Sequence, residues 1–256
     1  MIGIIMLSFM SAPLQSVSVD DLRLQIPSSD FVEERRRTVQ SVSVYYRRSV
    51  DRAALTATLA RMSDPVRSWK NNSNVSRIGT PEATPSGIPL GDRSAFMPSE
   101  GSANLYAQLG SFSTNIHLTY RGRGPVGSIE WQKHDEPGDI ALAEGLARYS
   151  LARVLGRTLE PGANVSVGGT SISSMRAPGG EVMVSIDRWA AARGISMTHN
   201  VRRGSFSFAV QAQAYVGGIA AKALKRAGTW HNMPVPVVRV GNESFIPLAT
   251  FEELTR

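Results

Sequence analysis

The sequence predicts an α+β protein of two domains, each a small, mostly antiparallel sheet with packed helices, and three observations carry that expectation. First, apolar residues alternate along short runs. In the clearest, Phe112, Thr114, Ile116, Leu118 and Tyr120 face one way while Ser113, Asn115, His117 and Thr119 face the other, the pattern of a strand. Second, a longer run at 140–155 has acids before it and arginines toward its far end, which suits a helix dipole. Third, the closing stretch GNESFIPLATFEELTR combines a turn, an apolar strand, a proline and an amphipathic helix, and the same grammar occurs once before.

Length and composition set the limits. The 256 residues, 42% of them apolar, suffice for one large domain or two ordinary ones, and two are expected. Arginine supplies 24 of the 28 basic residues, and the net charge of +7 divides as +3 over residues 1–71, −1 over 72–160 and +5 over 161–256. An anionic partner suits such a balance. The arginines nevertheless fall in short clusters beside acids or turns, such as Arg35 to Arg37 and Arg47 with Arg48, which is the pattern of solvated faces. Arg121-Gly122-Arg123-Gly124 is a single copy between two strand-like runs and reads as a hairpin turn. No cysteine is present, so disulfides, cysteine zinc sites and thiol nucleophiles are excluded and the redox compartment stays open.

An apolar run from Ile2 to Met10 precedes a small and polar stretch. It is too short to cross a bilayer, which takes about twenty residues. It resembles the hydrophobic region of a secretory signal with cleavage near Ser16 or Ser18, so residues 1–18 are read as a signal peptide. The mature chain is then extracytoplasmic (periplasmic, secreted or cell-surface) and has no transmembrane segment. A buried first strand is the alternative, because no Lys or Arg precedes the run.

Taken in order, Val17 and Val19 alternate and Leu22, Leu24 and Ile26 continue out of phase, which predicts a strand bulged at Asp20-Asp21. QSVSV recurs at 40–44, where Val42, Val44 and Tyr46 mark a second strand. Leu55, Leu59, Met62, Val66 and Trp69, spaced by four, three, four and three, predict a helical stripe. Pro65 kinks that helix or restarts it with Asp64 as cap. Residues 71–104 form an expected flexible loop, since eighteen of the thirty-four are Asn, Ser, Gly or Pro; it holds sequons at Asn71 and Asn74. After the strand at 112–120, Val126 to Gln132 is expected to return as its antiparallel partner. The acidic turn DEPGD then leads into a helix from Ile140 to Leu155, stopped by Gly156. Residues 19–160 thus form an α+β domain that resembles no known family.

Beyond Glu160-Pro161-Gly162 the grammar changes. Val165 to Val167, the glycine pair 168–169, a turn at 178–180, a strand from Glu181 to Ser185 and a helix through Ile186 and Trp189 closed by Gly194 follow in turn. A hairpin joins Ile195–His199 to Ser205–Val210. Val216-Gly217-Gly218 then matches Val167-Gly168-Gly169 at an offset of 49, and Glu243 to Phe251 matches Glu181 to Trp189 at an offset of 62. Thirteen residues are therefore inserted in the second copy, and TWHNMPVP (229–236) lies among them. Each copy reads as strand, glycine turn, polar linker, strand and helix. One copy has too little core to stand alone, whereas two share one, with Ile186, Trp189, Leu248 and Phe251 as the common layer.

On these residues, with Val184-Ser185-Ile186 and Ile246-Pro247-Leu248 as its signature, the segment 163–256 resembles the copper amine oxidase N-terminal-like, or stalk, domain of bacterial envelope and secreted proteins. The resemblance covers roughly 163–254 and departs where the family carries Arg after the V-P-L signature, since Asp187 and Ala249 stand there. It implies a non-catalytic interaction or structural module without copper or any other cofactor. The implied partner is a cell-wall polymer or another envelope protein.

The chemistry-bearing residues agree with that expectation. His117, His134, His199 and His231 show no metal-ligand spacing, and neither a G-x-S-x-G, a Walker loop nor a G-x-G-x-x-G fingerprint occurs. A hydrolase with its active site in the first domain is the alternative; it needs a serine, His117 or His134, and an acid within hydrogen-bond reach. A weak binder of nucleic acid or another anionic polymer is the third reading, and it needs Arg202, Arg203, Lys222, Lys225 and Arg226 on one continuous face. Trp230, His231 and Asn232 combine an aromatic with polar groups in the inserted stretch. They read either as a glycan or peptide contact on a loop or as a hairpin tip with Trp230 packed on the sheet.

Overall fold

The computed structural model describes residues 17–24, 31–37, 41–48, 54–71, 84–99, 102–119 and 137–256; at 31–37, 47–48, 70–71, 99 and 137 it describes the backbone alone. The expected signal run, the strand from Val126 to Gln132, His134 and the sequon at Asn74 lie outside the described residues. All strand pairings among the named strands are antiparallel, around a small number of helices.

Strands β1 (Phe31–Arg37), β2 (Ser41–Arg48), β3 (Ala54–Arg61), β4 (Arg93–Ser99), β5 (Ser102–Leu109) and β6 (Phe112–Thr119) form a six-stranded sheet in the order β1-β2-β3-β6-β5-β4. Its register aligns one apolar face: Val44 lies opposite Ala57, Ala57 opposite Ile116, and Ile116 opposite Leu105, all buried. On the other face a row through Ser43, Thr58, Asn115, Tyr106 and Ala95 is more polar. It is covered at one end by Trp69 of helix α1 (Pro65–Asn71), whose ring lies 5.4 Å from that of Tyr106. Asp64 caps α1, its carboxylate accepting from the Arg67 N–H at 2.9 Å.

Three sequence expectations are corrected here. The stripe through Leu55, Leu59 and Met62 is not helical, because β3 alternates Leu55, Ala57 and Leu59 inward with Thr56 and Thr58 outward. Spacings of two and of four both include residues 55 and 59. The partners β2 and β6, which fill the ladder on both sides, decide between them. Nor is Val17–Val19 a bulged strand. Ser18 opens a 3-10 turn, Val19–Leu22, as a capping box: its hydroxyl accepts from the Asp20 N–H and its own N–H donates to Asp21 Oδ2 at 2.7 Å. Finally, the expected loop at 71–104 contains β4 and the start of β5. Pro98 is tolerated because β4 is an edge strand.

The apolar face of the sheet is closed by α2 (Pro137–Gly156), the one long helix among the described residues. Residues 141–152 of α2 are buried without interruption, as required of a helix covered on all sides. One side meets β3, β5 and β6; the other meets β17 (Val238–Val240). Two glycines permit close backbone crossings, Gly156 beside β17 and Gly145 beside the turn at 201–204. A Cβ on Gly145 would stand 2.0 Å from the Arg202 carbonyl oxygen, and one on Gly156 would collide with that of Arg239.

After β7 (Glu160–Pro161) and the small hairpin of β8 (Val165–Val167) with β9 (Thr170–Ile172) come β10 (Ser174–Arg176), β11 (Val182–Ser185) and helix α3 (Ile186–Ala192). A second sheet then meanders through β12 (Met197–Asn200), β13 (Ser205–Val210), β14 (Gln213–Gly218), β15 (Ala223–Arg226) and β16 (Thr229–Asn232). β17, β18 (Glu243–Pro247) and helix α4 (Leu248–Leu254) complete the chain, and the third sheet runs β17-β18-β11-β10-β7. At its centre Val184 lies opposite Ile246, with Met183 opposite Pro247 and Ser185 opposite Phe245. A helix leaves the end of each of these two strands. The helices bring Trp189 and Phe251 edge to face at 4.5 Å, and Phe208 and Tyr215 of the meander stack beside them at 4.8 Å. Ile186, Trp189 and Phe251 are buried and Leu248 packs partly buried on the same cluster, which continues through α2 to Leu22 and Val17.

Replacing Phe251 by Ala empties the centre of this aromatic group and is expected to lower unfolding stability by about 3–5 kcal/mol in urea titration. Val66→Ala, at an exposed position of α1, stays within about 0.5 kcal/mol of the parent.

Candidate functional site

Helix α2 carries charges among buried residues, and each has a local reason. Glu144 and Arg148 are four apart, hence stacked on one helix face, and both side chains are fully buried with 2.7 Å between Oε1 and Nη2. Arg148 donates further to the carbonyls of Ile88 at 2.6 Å, Pro89 at 2.9 Å and Ile219 at 3.2 Å. Ser86 donates its hydroxyl to the same Glu144 oxygen. Burial pushes the Arg148 guanidinium below the ordinary arginine value, and the Glu144 carboxylate opposes that. The Arg148 N–H donors all face protein acceptors, and Glu144 Oε2 is buried without a hydrogen-bond partner among the described residues, so the group joins segments and is shut off from solvent.

One and a bit turns further on, the chemistry is open. Arg153 lies five residues beyond Arg148, near the end of α2, and Arg157, four further on, lies just past it. The Arg153 guanidinium donates to the carbonyls of Asp21 and Arg23, both at 2.8 Å, and so caps the 3-10 turn. Arg157 pairs with Asp21 at 2.5 Å. From the other side β17 supplies Arg239, whose guanidinium carbon lies 4.9 Å above the Tyr149 ring while that of Arg153 lies 5.8 Å from it. Arg153, Arg157, Arg239 and Asp21 line a cleft of about 650 Å³ that also includes Asp20, the exposed Arg23 and the β17–β18 turn at Gly241-Asn242. Four guanidinium groups face two carboxylates there.

The electrostatics of the cleft follow first from burial. Burial pushes Arg239 below the ordinary arginine value, and burial followed by repulsion from Arg239 does the same to Arg153. Arg239 Nε is buried and has no hydrogen-bond partner among the described residues. Burial raises the Asp21 carboxyl, opposed by the Ser18 N–H and Arg157, and it raises the Tyr149 phenol as well.

The residues singled out in the sequence are placed elsewhere. Trp230, His231 and Asn232 stand in β16, an edge strand, rather than on a loop. Trp230 is half-buried on the outer face beneath Lys225 Nζ at 5.5 Å, whereas His231 lies opposite Leu224 on the inner side. The strand alternation of β15 therefore separates Lys225 from Arg226, which donates to Gln213 Oε1 and the Leu254 carbonyl. Lys222 pairs with Asp92 at 2.5 Å, and Arg202 and Arg203 occupy the β12–β13 turn beside α2. The structure does not bring these five cations onto one face.

Among the histidines, His117 is exposed on β6 and contacts Thr119 at 3.2 Å. His199 meets Asp187 at 2.8 Å on the open surface, and no described serine is bonded to it. No group of three or more His, Asp or Glu able to hold a metal occurs among the described residues. The arginine cleft escaped sequence reading because Arg153 and Arg157 read as ordinary helix-end cations. The available signal was charge interrupting an apolar run, as in ALAEGLARYSLARVL and VPVVRV.

Glu144→Gln, which keeps the shape but strands a buried cation, is expected to cost about 3–5 kcal/mol of unfolding free energy. Arg148→Lys leaves at least one of the four acceptors unpaired and costs about 1–3 kcal/mol. Chemical denaturation of the two variants measures both. Compared with known proteins, the chain matches no family model, no curated protein and no solved structure.

Proposed function

We propose that the chain is a non-catalytic, exported bacterial protein serving as an interaction or structural module at the cell envelope, with a C-terminal portion built as a duplicated stalk-type unit. The observation that carries the reading is the pairing of β11 with β18. Residues 62 apart in sequence, Val184 and Ile246, sit opposite each other at the centre, and a helix follows each strand. Two half-units related in that way bury their Trp189 and Phe251 edges against each other, which neither does alone. The His199–Asp187 contact, open to solvent and without a bonded serine among the described residues, suits a surface hydrogen bond better than a catalytic arrangement.

Export bears on the first described residues. Val17 is buried in the main cluster, and Ser18 supplies both bonds of its capping box, one of them from its own N–H. Processing near Ser16 keeps both; processing after Ser18 removes them. Fractionating expressing cells and sequencing the N-terminus of the protein is expected to give an extracytoplasmic product that begins at or before Val17. An unprocessed chain confined to the cytosol overturns export.

A further inference from the structure

Among the described residues, the cleft at the end of α2 gathers more cationic than anionic side chains. Arg153 is held by backbone carbonyls, which fix the position of its charge without cancelling it, whereas Arg157 is offset by Asp21. Arg239 has a single weak side-chain bond, to Ser244 at 3.4 Å, and its buried Nε is unpaired among the described residues. The exposed Arg23 side chain has no hydrogen-bond partner there either. Two guanidinium groups that share the Tyr149 ring repel each other, and that arrangement is stabilised when an anion sits between them.

Shape and chemistry narrow the anion. A volume of about 650 Å³ is that of a small-molecule pocket rather than of a groove for a polymer. A guanidinium is planar and presents paired N–H donors, which match the oxygens of a phosphate or carboxylate. The excess of two positive charges over Asp20 and Asp21 calls for a dianion. The neighbouring turn at Gly241-Asn242 adds an amide and exposed backbone beside it, suited to a polar rather than an apolar remainder.

We infer that the cleft formed by Arg23, Arg153, Arg157 and Arg239 binds the dianionic phosphate group of a small polar phosphomonoester, with Arg239 as the principal ligand. This goes beyond the envelope reading and does not depend on it, since the cleft is the same in any compartment.

Isothermal titration of the full chain with glycerol phosphate, at low and at moderate salt, tests it. Saturable binding is expected that weakens with ionic strength and falls about tenfold or more in Arg239→Gln. Because Arg239 also packs on Tyr149, Arg23→Gln serves as the second variant: it lies in the exposed part of the cleft, should keep the parent melting temperature, and is expected to weaken binding several-fold. Lys225→Gln, on the outer face of the second sheet, is expected to bind as the parent does. Parallel titrations with inorganic phosphate and succinate distinguish the sources. Inorganic phosphate binding as tightly as the ester retains the anion site but removes the role of the polar remainder, and thus overturns the assignment to an ester. Tighter binding of succinate, no saturable binding at all, or affinity unchanged from the parent in both arginine variants overturns it as well.

Discussion

A guanidinium withdrawn completely from water has to find acceptors for its donors within the protein, and Arg148 finds them in segments far apart in sequence. Its own helix supplies Glu144, the 84–92 segment supplies two carbonyls, and the turn after β14 supplies the Ile219 carbonyl. An uncompensated buried charge costs more than the pair contributes, so the value of the arrangement lies in specification. Once Arg148 is buried, these three segments have one mutual placement that satisfies it. Adjacent backbone bonds reinforce that placement: Gly91 donates to the Ala220 carbonyl, and Gly91 bridges Ala221.

From that constraint follows the role of α2 as a wall shared by two sheets. An interior helix has no polar face to give to solvent, which explains its run of alanine and leucine interrupted by glycines where backbone crosses closely. The same close crossing at Gly156 brings β17 against the last turn, and thereby sets Arg239 beside Arg153. The cleft is in this sense a by-product of packing. Charges that a lone helix end would hold out to solvent are gathered beside a tyrosine by a strand from the far end of the chain.

The aromatic cluster works by a different logic. Trp189 and Phe251 meet because β11 and β18 pair about a central opposed pair, so that two short helices start from equivalent ends. Each helix has only seven residues and is marginal alone. Their stability comes from burial against Phe208 and Tyr215, whose hydroxyl also reaches the Leu254 carbonyl at 3.0 Å. Residues 229–232 form β16 at the edge of the meander, away from that centre.

Wherever a period was long and its partners were local, the sequence determined the outcome. The strands at 41–48 and 112–119, the helix ending at Gly156, the Asp64 cap, the hairpin around 200–204 and the strand-helix units at 182–192 and 243–254 all follow from alternation, capping chemistry and turn glycines. Where two periods shared the same residues, as at Leu55 and Leu59, tertiary context decided, because only neighbouring strands distinguish a spacing of two from one of four. The short capped turn at Ser18 and the strand carrying Pro98 belong to that class too, since polar or proline-bearing segments reveal their state only through the edge or core they meet. Above all, the partners of Arg148, Arg153 and Arg239 were invisible in one dimension. Electrostatic and hydrogen-bonding satisfaction is a property of groups brought together from distant segments, and sequence spacing reports only neighbours on the same element.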